Sequence, residues 1–254
     1  MSNVSVVFYG RGAELGNFKV LSSSLAKQLK GHYGNHGVFQ ENVELRQHFF
    51  DYLYAPPFAG KLIQELHIFS HAIGAGLFLS YHNHFRAQER DAARDLARRR
   101  GSRLTYFEVL TIEIGNLFTD DLIRRPWSDM RDGIRRNFAP NAFIKIWGCN
   151  SGVQRWVYHD DGQVGAVGPI DEYYFRALNE QHASKPSIAQ AFADYFDRPT
   201  FGAESGSHLE VSQAGHWIKT SQFKQSTGHW PKPSLPHRLV PDRGTYREFL
   251  PAGP

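Results

Sequence analysis

An alternation in the first third of the chain constrains the fold most. Residues 4–9, VSVVFY, are β-branched and aromatic and end at Gly10, the pattern of a buried strand. After a glycine turn, Phe18, Leu21, Leu25 and Leu29 recur at helical spacing, which predicts an amphipathic helix stopping near Gly31. A short strand is expected at 38–43. A helix carrying Leu45, Phe49, Phe50 and Leu53 follows, ended by Pro56 and Pro57. Residues 65–70, ELHIFS, read as a third strand that breaks at His71-Ala72 into a glycine-containing turn and the apolar GLFLS.

The order βαβαβ implies parallel strands, because each parallel crossover must pass over a face of the sheet. The expected class is therefore α/β, a three-layer αβα sandwich with a mainly parallel central sheet. Residues 143–147 read as the next strong strand. Further on, Pro186 suits a helix start, and Ile188, Phe192, Tyr195 and Phe196 form its buried stripe. PTFGAESGSHLEV then supplies a strand, a Gly/Ser turn and another strand. Helices are also expected at about 85–100 and 173–178. Residues 104–114 read as a strand or an apolar insert, and RRPWSDMRDGIRR as loop or short helix. Six of the 13 prolines fall between Pro231 and Pro254, so 215–254 is expected to be a wrapping tail on one domain spanning 1–254, with its core at about 4–211.

Composition narrows the function classes. A 41% hydrophobic and 14% aromatic content is that of a globular protein, and no apolar run approaches the ~20 residues of a membrane span. The formal net charge of +4 is too mild to argue for nucleic acid. A single cysteine cannot make an internal disulfide, and MSNVSVVFYG lacks the pattern of a secretory signal. A cytoplasmic site, or delivery by a leaderless route, is expected.

That one cysteine, Cys149, follows the strand FIKIW in the stretch FIKIWGCNSG. His71 likewise follows ELHIFS. In parallel α/β sheets, reactive groups collect at the carboxyl ends of strands, and on adjacent strands the two side chains would meet at one edge. A cysteine nucleophile needs a thiolate, a histidine to move the proton, and donors for the oxyanion. Small residues surround both positions: Ser70-His71-Ala72-Ile73-Gly74-Ala75-Gly76 and Gly148-Cys149-Asn150-Ser151-Gly152. The amides of Cys149 and Gly74 are candidate oxyanion donors, with Gly148, Asn150 and Ser151 shaping the loop.

An apolar strand ending in histidine plus a small residue, then a later one ending in a small residue plus cysteine, resembles the caspase, legumain and gingipain clan of cysteine peptidases. IQELHIFSHA carries the histidine motif and FIKIWGC the cysteine motif. Ala72 stands where the clan usually has glycine, and the long separation of the motifs implies an insertion. The resemblance implies peptide or isopeptide cleavage through an acyl-enzyme, with His71 and Cys149 catalytic, a polypeptide substrate and no organic cofactor. It also implies a side-chain pocket beside the cysteine, for which Glu204, Ser205, His208, Asp160 and Asp161 are candidates.

Rival readings rest on other residues. Gly-x-Ser-x-Gly is absent around Ser70, whose flanks are Ile68 and Ala72, so a serine hydrolase elbow is not expected. His82, His84, His67 and His71 could form a metal-binding cluster for a metal-dependent hydrolase, although no carboxylate is paired with them. GRGAELG after the first strand has glycines like a dinucleotide fingerprint, but its third, Gly16, comes one residue late. The ridge of Arg86, Arg90, Arg94 and Arg98 reads as a solvated face with local charge pairs. In a non-catalytic binding module, that ridge or Trp147, Trp156, Trp217 and Trp230 would hold a partner.

Overall fold

The computed structural model describes residues 2–11, 18–73, 76–80, 99, 115–148, 151–152, 186–203, 206–211, 218–223, 236–237 and 246–253. In chain order these form β1 (Asn3–Tyr9), α1 (Phe18–Tyr33), β2 (Val38–Asn42), α2 (Arg46–Tyr54), β3 (Leu62–Phe69), β4 (His71–Ile73), β5 (Gly76–Phe78) and β6 (Asn116–Phe118). After a short 3-10 turn come α3 (Trp127–Arg135), β7 (Phe138–Ile146), α4 (Ile188–Phe196), β8 (Thr200–Gly202), β9 (Gly206–Val211), β10 (Ile218–Phe223), β11 (Pro236–His237) and β12 (Arg247–Phe249). No helix among the described residues is long and apolar enough to cross a membrane.

The central sheet has six strands in the order β12-β8-β7-β3-β1-β2. The five from β2 to β8 run parallel, and only β12 is antiparallel. Helices cover both faces, so the molecule is a three-layer αβα sandwich with a mainly parallel sheet. On one face Val4, Val6, Phe8, Leu66, Ile68, Ile144 and Ile146 pack under α2, α3 and α4. On the other, Val7, Phe69, Trp147 and Phe201 pack under Phe18, Leu21, Leu25 and Leu29 of α1. Each strand serves both layers because successive side chains point to opposite faces.

Local chemistry explains where the elements stop. α1 runs past Gly31 to Tyr33. Gly34 then ends it with a positive φ of 74°, its N–H bonding the Lys30 carbonyl at 2.9 Å. Ser187 caps α4, its hydroxyl accepting from the Gln190 N–H at 3.1 Å. The segment RRPWSDMRDGIRR, open between loop and helix in the sequence, contains α3.

Four strands are longer or later than hydrophobicity suggests. β7 starts at Phe138, five residues before the expected run, where Phe138 pairs with Ile63; the register then shifts between Ile63 and Glu65, and an exposed Pro140 sits in the irregularity. There it needs no ladder N–H. The proline-rich end of the chain supplies β10, β11 and the edge strand β12, with Tyr246 buried just before it. The helices expected at 85–100 and 173–178, and the segment 104–114, lie outside the described residues apart from position 99.

Gly10 has a packing role. A Cβ there would lie 2.5 Å from the Leu79 carbonyl oxygen, the same oxygen that accepts the Arg11 N–H at 2.7 Å. The glycine lets β1 end against the Leu79-Ser80 backbone.

Candidate active site at the carboxyl edge of the sheet

β3 and β7 are neighbours and parallel, so their carboxyl ends emerge side by side. His67 pairs with Lys145 and Ile68 with Ile146, and the ladder continues through the Trp147 N–H to the Ile68 carbonyl at 2.9 Å. Gly148 comes next. A Cβ on it would lie 2.6 Å from Ala72 Cβ and 2.8 Å from the Ser70 carbonyl oxygen, so the backbone before position 149 is seated directly on Ser70–Ala72. A side chain at 148 would force the two strand ends apart.

His71 opens β4, which pairs with β5 in a hairpin, and β5 pairs with β6. His67 and His71 are thus on successive strands. His71 as a residue is partly exposed, but its Nε2 is buried, and its ring meets Phe18 of α1 edge-on, with centroids 4.9 Å apart. The hairpin is fixed to the body from its far side. Asp121 accepts the Phe118 N–H at 2.8 Å with one carboxylate oxygen and pairs with Arg46 of α2 through the other.

Ser151 pins the loop beyond β7. Its hydroxyl donates to the Gly148 carbonyl at 2.9 Å and accepts the Ala203 N–H at 3.1 Å, and its own carbonyl accepts the Ala189 N–H at 3.0 Å. The loop is therefore tied to the end of β8 and to the amino end of α4, where the helix dipole is positive.

Below this edge, on the α1 face, lies a polar string. Tyr33 Oη donates to Glu65 Oε1 at 2.6 Å, His67 Nε2 is 3.0 Å from Glu65 Oε2, and Trp147 Nε1 donates to His67 Nδ1 at 3.3 Å. Burial alone would raise the Glu65 carboxyl, but the hydrogen bonds from His67 and Tyr33, with the nearby His32 ring, hold it below its ordinary value. Burial, then the hydrogen bond and charge of Glu65, push the Tyr33 phenol above the usual tyrosine range. Sequence reading singled out His67 only as a possible metal ligand and missed this string. Its one legible trace was polar residues at alternate positions, Glu65 and His67, interleaved with the apolar Leu66, Ile68 and Phe69.

The structure brings His71, Gly148 and Ser151 to one edge. Cys149, Asn150, Gly74, Glu204, Ser205, Asp160 and Asp161 lie outside the described residues, and His208 is placed only as a position in β9 opposite Ser221. Of the histidines considered for metal, His67 has both ring nitrogens engaged, and His82 and His84 lie outside the described residues. Trp147 is 1% exposed, so it presents no surface to a partner. Trp156, Trp217, Trp230 and the arginine ridge also lie outside the described residues.

In comparisons with known proteins, no family model, no curated sequence and no solved structure matches this chain.

Proposed function

We propose that the chain is a cysteine hydrolase, a peptidase of the caspase-like kind, in which His71 and Cys149 form the catalytic dyad. The observation that carries this reading is the seating of Gly148 on Ser70–Ala72. The residue bonded to Cys149 touches both chain neighbours of His71. Consecutive Cα atoms are about 3.8 Å apart, which supports the reading of His71 and Cys149 as one dyad.

In the reaction, the Cys149 thiolate attacks the scissile carbonyl while backbone amides near Gly148 and Gly74 stabilise the oxyanion. His71 gives its proton to the leaving amine as the carbon–nitrogen bond breaks. It then takes a proton from water, whose oxygen attacks the thioester. The acid product departs and the thiolate is regenerated. The substrate is a polypeptide, met in the cytoplasm where the protein is made or where it is delivered.

A peptide-library cleavage profile tests the reading. Wild type is expected to cut at a defined side chain, and Cys149→Ala and His71→Ala to lose at least about a thousandfold in turnover while remaining folded. Cleavage by both variants at the wild-type rate ends the proposal.

A further inference from the structure

The polar string under the edge takes no direct part in that chemistry, yet it is built with care. An indole N–H can only donate. His67 Nδ1 is therefore the bare, accepting nitrogen, and Nε2 carries the hydrogen given to the Glu65 carboxylate. Tyr33 donates to the same carboxylate. Each link has one direction and each buried group is satisfied. Burying a carboxylate and an imidazole costs desolvation that these hydrogen bonds serve to offset, and apolar side chains of similar volume would often stabilise the fold as well or better.

What the string holds is Trp147. Besides the bond to His67, its N–H donates to the Ile68 carbonyl at 2.9 Å and its carbonyl accepts the Tyr246 hydroxyl at 3.4 Å. Its ring stacks on Phe69 with centroids 5.0 Å apart and 8° between planes, and Lys145 Nζ lies 4.1 Å from the ring centroid. Backbone and side chain are fixed from several directions, immediately before Gly148 and Cys149.

We infer that Tyr33, Glu65 and His67 are positioning residues that act through Trp147, setting where the chain leaves β7 and so where the residue-149 thiol stands relative to His71. This deepens the hydrolase reading and rests on it. None of the three touches the reacting bond. Their effect is on geometry, where a misplacement of about 1 Å can cost up to a hundredfold in rate.

Iodoacetamide labelling tests it, because the chain has one cysteine and the intact mass reports on that residue alone. The labelling rate is followed against pH beside thermal unfolding and peptide cleavage. Wild type is expected to label with a midpoint well below the ordinary thiol value of about 8.5. Trp147→Phe keeps the ring and loses the N–H; His67→Leu removes both hydrogen bonds. Both are expected to move the midpoint up toward the ordinary value and lower kcat about tenfold or more with KM little changed. His67→Gln, whose amide offers an acceptor to Trp147 and a donor to Glu65, is expected to restore both readouts.

Wild-type midpoints and kcat in Trp147→Phe and His67→Leu, with only the unfolding temperature lowered, overturn the inference. So does a His67→Gln protein that behaves like His67→Leu. If His67→Leu does not fold, Trp147→Phe carries the test. Failure of the hydrolase reading looks different: an ordinary wild-type midpoint that His71→Ala leaves unmoved, which removes both proposals together.

Discussion

The two faces of the central sheet use the same strands and opposite means. Under α2, α3 and α4 the contact is almost wholly apolar, with Phe49 at its centre touching Phe8, Phe50, Phe192 and Phe196. Under α1 the strands carry Glu65, His67 and Lys145, all buried, among Phe69, Trp147 and Tyr246. Apolar packing is non-directional and can be repacked, so it supplies stability without fixing any one atom. Hydrogen bonds are directional, so the polar face fixes one residue at the cost of desolvating its groups. The comparison predicts that the first face answers to stability and the second to position.

The largest effect is expected on the apolar face. Phe49→Ala should cost about 3–5 kcal/mol in denaturant unfolding and leave the labelling midpoint of the folded protein unchanged. A shifted midpoint would break the contrast between the faces. At the junction, Gly148→Ala should cost about 1–3 kcal/mol by overpacking against Ala72 and Ser70, and should also slow cleavage. A neutral result would mean the strand ends are looser than this contact requires.

On the polar face, Glu65→Leu should cost about 1–3 kcal/mol by stranding the His67 and Tyr33 donors, and it should reshape the acid limb of stability. The Glu65 carboxyl is lowered in the folded chain, so ionised Glu65 stabilises the fold above its unfolded value of about 4.3. That contribution is lost as pH falls through the lower folded value. The difference in stability between wild type and Glu65→Leu should therefore shrink below about pH 4, and a constant difference down to pH 2 would refute the assignment.

Ser151→Ala should cost about 1–2 kcal/mol, since the Ala203 N–H is left without its bond in the interior. Tyr33→Phe is expected to be the mildest, at about 0.5–1.5 kcal/mol for a half-buried donor at the end of the string. A Tyr33→Phe loss as large as that of Phe49→Ala would reverse the ranking of the two faces.

Periodicity alone determined much of this protein. The strands at β1 and β3, the helices α1, α2 and α4, and the parallel class follow from spacing, because period 2 and period 3.6 are local properties of backbone geometry. The placement of His71 and the glycine before Cys149 at corresponding strand ends was legible for the same reason. Only the tertiary structure decided which strands are neighbours, that β12 returns from a proline-rich end to close the sheet, and that Gly148 rests on Ser70–Ala72. It also joined Tyr33, Glu65, His67 and Trp147 into one string. Such contacts form between residues far apart in sequence, and only the packing of helices on both faces of the sheet selects them.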